Sequence, residues 1–118
     1  MSSRIYTFGT LKDLSVLGDI TPLCQFIESE GFSVILDSED ASAVGLRSAV
    51  DYKMITLSVY SDLEAIGFLA AIARRLAAAL IPCNAVSAFF HDYVFVPKEL
   101  SEAAMHELHQ LMADSGVP

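Results

Sequence analysis

The residues best placed for chemistry lie between Ser61 and Pro97, in SDLEAIGFLAAIARRLAAALIPCNAVSAFFHDYVFVP. Ser61 followed by Glu64 has the S-x-x-E pattern in which each side chain satisfies a backbone N–H at the start of a helix. The N–H groups around Leu63, Glu64 and Ala65 have no intrahelical partner in such a helix and can receive a carboxylate. Asp62 beside them is a candidate partner for an ammonium group. The turn therefore offers the two halves of a site for a small zwitterion. The same residues also serve as plain helix caps. Gly67, in the first turns of the same expected helix, equally serves a close approach between helix and strand.

The histidines suggest less. His106 and His109 are spaced i, i+3, and His91 sits next to Asp92 in a turn. Tetrahedral zinc needs a further ligand that nothing in the pattern supplies, so neither a metal site nor a cofactor is expected. No Ser or Cys nucleophile accompanies His91 and Asp92 in a recognisable arrangement; an oriented turn pair explains them better than acid-base catalysis. Cys24 and Cys83 lie in apolar company without ligand spacing, which suits reduced core thiols. Phe89 and Phe90 are expected in the core.

Composition narrows the partners. A chain of 118 residues suits a single domain, and 7 basic against 15 acidic residues give a net charge of −8 without any basic stripe. Phosphate recognition requires such a stripe, so nucleic acid is not an expected partner. The apolar run Ala65–Leu80 is too short for a membrane span and contains Arg74 and Arg75. The N-terminal SSRIYTFG has no apolar leader pattern, and the expected location is cytoplasmic.

Periodicity supplies the elements that must position these residues. Arg4–Thr10 and Phe32–Leu36 read as strands, and Leu11–Ile20 as a loop. Thr21 as N-cap, Pro22 behind it and Gly31 as a stop frame a helix over Pro22–Glu30. Ser38 to Gly45 suggests a short helix. Met54–Val59 alternates, with Ile55, Leu57 and Val59 on one face. The helix opened at Ser61 runs to Pro82, with Leu63, Ile66, Ala70, Ala73, Ala77 and Leu80 toward a sheet and Phe68, Leu69, Ala71 and Ile72 as a surplus apolar face. Strands follow at Asn84–Phe90 and Tyr93–Val96, then a helix over Lys98–Ala113 with Leu100, Ala104, Leu108 and Leu111 on one face.

The stretches ITLSVYSDLEAIG, FLAAIARRLAAALI, PCNAVSAFF and HDYVFVP, about two-fifths of the chain, resemble an ACT domain of the subgroup of small ACT-like proteins. Upstream, YTFGT, PLCQFIESEGFSVIL and EDASAVGL follow the order of the same group more weakly. The resemblance implies an α+β, ferredoxin-like fold: a βαββα unit over 51–118, preceded by a degenerate β-α-β-α half over 1–50, with an antiparallel sheet and helices on one face. Members of the subgroup usually carry a helix before the first strand, and this sequence starts almost at once with RIYTFG.

The resemblance further implies ligand sensing rather than catalysis. The ligand, an amino acid or similar small molecule, would lie at a subunit or half-domain interface. It would sit in the turn carrying Ser61, Asp62, Leu63, Glu64, Ala65, Ile66 and Gly67, against the strand edge of Cys83, Asn84, Ala85, Val86 and Ser87. The surplus helix face and the missing leading helix suggest a homo-oligomer. An interaction protein whose sheet pairs subunits without a ligand is the alternative, and a small enzyme using His91 and Asp92 a third.

Overall fold

The computed structural model describes residues 3–57 and 67–114. The chain divides into two compact units, the first over 3–52 and the second from Lys53 onward.

In the first unit, β1 (Ile5–Leu11) leads through a 3-10 turn (Leu14–Leu17) to β2 (Cys24–Glu28) and β3 (Gly31–Asp37), followed by helix α1 (Ser38–Ala43). The strand order is β2-β3-β1. Both pairings are antiparallel, with Tyr6 opposite Asp37 and Leu11 opposite Phe32, and Cys24 opposite Ile35. Ser29 and Glu30 alone close the hairpin, because Glu28 pairs with Gly31. Val34, Leu36, Leu11, Leu17 and Ala41 are buried together, and Leu14, Ile20, Val44 and Leu46 pack around them.

Two expectations fail here. The segment expected as helix Pro22–Glu30 is strand β2. A nine-residue helix is marginal on its own, so a hairpin that gives each backbone group a ladder partner prevails over the capping signals at Thr21 and Pro22. Gly31 is consequently no helix stop. Its φ is +149°, and a Cβ there would lie 2.8 Å from the Leu11 carbonyl oxygen, so the position requires glycine for both conformation and space. The expected loop Leu11–Ile20 holds the 3-10 turn, capped by the Asp13 side chain, which accepts the Ser15 N–H at 2.9 Å.

The second unit contains β4 (Tyr52–Leu57, its first residue shared with the first unit), helix α2 (Phe68–Ala78), β5 (Asn84–Ser87) and β6 (Asp92–Pro97). A 3-10 turn (Lys98–Leu100) then runs into α3 (Ser101–Asp114). The strand order is β4-β6-β5, with Asn84 opposite Phe95 and Ser87 opposite Asp92. As expected, Ile55 and Leu57 are buried and Thr56 is exposed. They join Ile72, Leu76, Ile81, Val94, Val96, Ala104 and Leu108 in the larger core. Leu100 and Leu111 pack against it, as the α3 stripe requires. Arg75 ties the two helices by donating to Glu107 at 2.9 Å and Asp114 at 3.0 Å, and both carboxylates raise its pKa.

The orientation of α2 is the reverse of the expected one. Ile72 and Leu76 are buried, with Phe68 and Leu69 packed beside them, whereas Ala70, Ala77 and Leu80 are exposed. The larger side chains bury more apolar area than the alanines and so decide the face. The supposed surplus face is thus the packed one, and the helix itself demands no second cover. At its C-terminus Leu80 N–H bonds to Ala77 O and Ile81 N–H to Leu76 O, a Schellman motif that places Leu80 at φ +61°. Both α+β units are of ferredoxin type: a strand followed by a hairpin whose second strand lies beside the first.

Candidate functional site

Of the residues expected at the site, Ser61, Asp62, Leu63, Glu64, Ala65 and Ile66 lie outside the described residues, as does the capping pair. Gly67 is described, and it is not inside the helix. It is the N-cap of α2 at φ +80°, ψ −4°, a left-handed conformation that favours glycine. A Cβ built there would meet nothing within 4 Å, so backbone conformation, not close approach to a strand, accounts for the residue. Among the described residues no side chain caps this end of α2, and Ala71 donates the first helical bond to Gly67 O at 2.9 Å.

The second expected component, Cys83–Ser87, runs from the exit of α2 into β5. Asn84, Ala85 and Ser87 are exposed and Val86 is half-buried. Strand β5 ends the order β4-β6-β5, so among the described residues one of its edges has no ladder partner. Cys83 packs against the core, and burial pushes its thiol pKa up, which disfavours the reactive thiolate.

The remaining candidates are scattered over the surface. His106 and His109 are exposed on α3, and His91 is exposed in the Ala88–His91 turn, where its carbonyl accepts the Ala88 N–H at 2.9 Å. Among the described residues no cluster of His, Cys, Asp or Glu is arranged to hold a metal. Phe89 and Phe90, expected in the core, are 93% and 83% exposed at the tip of this turn, their rings stacked edge to face at 4.9 Å. The β ladder stops at Ser87–Asp92, earlier than the apolar run suggested, which leaves both rings beyond the sheet.

A feature absent from the sequence reading lies in the first unit. A cleft of about 610 Å³ opens between β1, α1 and the segment leading to β4. Thr7, only 4% exposed, lines it together with Ser38, Ser42, Ser48 and Leu46. Three charged residues, Glu39, Arg47 and Asp51, complete the lining. A second cleft of about 510 Å³ shares Ser38 and Glu39 and contains Arg4 and Asp37, which face each other at 3.9 Å. Its sequence signal is the composition of SEDASAVGLRSAVD, where hydroxyls are interspersed with opposite charges after a buried strand.

Comparison with known proteins places the fold. ACT domain profiles match residues 49–110 and residues 1–53. A crystal structure of a Vibrio cholerae protein of unknown function, described as a possible transport protein, is 37% identical with a TM-score of 0.81. The match covers 91% of this chain and 82% of that one. No curated protein matches significantly. Among the described residues no helix is long and apolar enough to cross a membrane. ACT domains are generally regulatory modules that bind small molecules. With matches over both halves and the same strand order inside each unit, this chain belongs to the ACT domain family.

Proposed function

We propose that the chain is a non-catalytic regulatory module that senses an amino acid, held by the turn from Ser61 to Gly67 and the edge from Cys83 to Ser87, in a cytoplasmic homo-oligomer. The observation that carries this reading is the start of α2. An eleven-residue helix begins at a left-handed glycine, and among the described residues no side chain caps its first N–H groups, which can receive a ligand carboxylate. The open edge of β5 supplies further backbone groups in the same unit.

A thermal-shift screen against the common amino acids tests it. A ligand at about one hundred times its dissociation constant should stabilise the native state by about 2.7 kcal/mol, a rise of about 10 °C for a domain of this size. Gly67→Val should abolish the rise by forcing the turn out of the left-handed region, while Asp62→Asn should reduce it less. A second reading, a subunit-pairing protein without a ligand, draws support from the exposed Phe89 and Phe90 and from Phe26 and Ile27 on edge strand β2. A flat melting curve with every amino acid, together with concentration-dependent assembly, would favour that reading.

A further inference from the structure

We infer that the cleft of the first unit is a second ligand site, distinct from the α2 turn, for a small molecule bearing one carboxylate and two cationic groups, the class of basic amino acids.

The charges of the cleft carry the inference. Among the described residues that line it, Arg47 is the cation and Glu39 and Asp51 are the anions. Among the described residues none of these three side chains has an ion-pair or hydrogen-bond partner. In the neighbouring cleft, by contrast, Arg4 is opposed by Asp37. One unpaired guanidinium suits one carboxylate through parallel N–H donors, and two unpaired carboxylates suit two ammonium groups. The whole chain, at −8, also attracts a cationic ligand more readily than an anionic one.

The walls of the cleft are set by packing. Gly9 on β1 has the room that Leu46 uses: a Cβ at Gly9 would come within 3.1 Å of the Leu46 side chain. A glycine inside a strand marks such a close approach. Leu46 is thereby seated against the strand, and its N–H donates to Ala41 O at 2.8 Å, which orders the segment that carries Arg47 and Ser48. The hydroxyls of Thr7, Ser38 and Ser42 add donors and acceptors, and a volume of about 610 Å³ lies in the range of small-molecule sites.

The test is an NMR titration of the full chain with L-lysine, alongside L-norleucine, which lacks the second amine, and cadaverine, which lacks the carboxylate. L-Lysine should shift the amide resonances of Thr7, Ser42 and Ser48, with norleucine and cadaverine each at least tenfold weaker. Arg47→Gln should weaken L-lysine at least tenfold but leave cadaverine unchanged, and Asp51→Asn with Glu39→Gln, which removes both ammonium partners, should weaken L-lysine below the level at which norleucine binds the parent. All three side chains line the open cleft rather than either buried core, so an unchanged spectrum elsewhere verifies the fold of each variant. Norleucine binding as well as L-lysine, or an Arg47→Gln protein binding L-lysine normally, would overturn the inference. Shifts confined to Gly67 and Cys83–Ser87 would also overturn it while leaving the proposed sensor function standing; shifts at Thr7, Ser42 and Ser48 alone would do the reverse.

Discussion

Val34-Ile35-Leu36 in the first unit and Val94-Phe95-Val96 in the second hold the same place: three consecutive buried residues on the second strand of a hairpin. Alternate residues of a strand point to opposite faces, so each triplet is covered on both sides. Each strand also ends alike, Asp37 at φ −53°, ψ 138° and Pro97 at φ −53°, ψ 137°, before the chain turns into a helix. The units part company in their helices. The second carries helices of 11 and 14 residues that seal one sheet face with a continuous core. The first has a four-residue 3-10 turn and a six-residue helix, and its cluster is smaller. The contrast shows that equal strands can be finished for two purposes: long helices close a face, and short ones leave room for a polar cleft beside it.

Substitution inside the triplets is the strongest way to break the equivalence. Phe95→Ala is expected to cost about 3–5 kcal/mol and Leu36→Ala about 2–5 kcal/mol, measured by denaturant unfolding. A loss well under 1 kcal/mol at either position would mean that the two triplets do not anchor their units alike. The ends of α2 then test the long-helix unit with opposite signs. Gly67→Ala should destabilise by about 1 kcal/mol because its φ of +80° disfavours any Cβ, although nothing crowds the site. Leu80→Gly should stabilise by about 0.5–1 kcal/mol, since a leucine that is 87% exposed occupies the left-handed position of the Schellman motif. Equal melting temperatures for Leu80→Gly and the parent would show that the exposed leucine has a compensating contact.

The smallest effect belongs to the short turn of the first unit. The Ser15 N–H bonded to Asp13 lowers that carboxyl's pKa below 3.8, its ordinary value. A depressed folded pKa adds stability above the unfolded value and loses it as pH falls through the folded one. Asp13→Asn should therefore flatten the acid limb of melting temperature against pH below about 4 and leave the neutral region nearly unchanged. An identical acid limb in the variant would show that the cap does not hold the turn in solution.

Strands β1, β3 and β4, the α3 stripe and the C-terminal stop at Pro82 were legible because alternation, helical spacing and proline each act locally. Strand β2 was not. Its identity depends on pairing with β3, a tertiary fact, while Thr21-Pro22 and Gly31 imitate the punctuation of a helix. The facing of α2 was misread because a spacing rule weighs Ala70 and Ala77 like Ile72 and Leu76, whereas burial weighs them by area. The left-handed turn at Gly67 left a trace only as a glycine near a helix start, which fits several conformations. The cleft was illegible for another reason: Glu39, Arg47 and Asp51 lie in one polar stretch, but only the pairing of β1 with β3, with α1 following, brings Thr7 to them and shapes a cavity.

The ring pair at Phe89 and Phe90 bears on the colloidal behaviour of the protein. At neutral pH a charge of −8 keeps molecules apart, so two exposed rings per chain can be carried in solution. Near the isoelectric point, about 4.6, the carboxylates still ionised just balance the Lys, Arg and protonated His charges, and that repulsion is gone while the rings stay exposed. Solubility is then governed by sticky tips on particles of zero net charge, and a pH near 4.6, rather than stronger acid in which the net charge turns positive, becomes the condition under which this protein leaves solution.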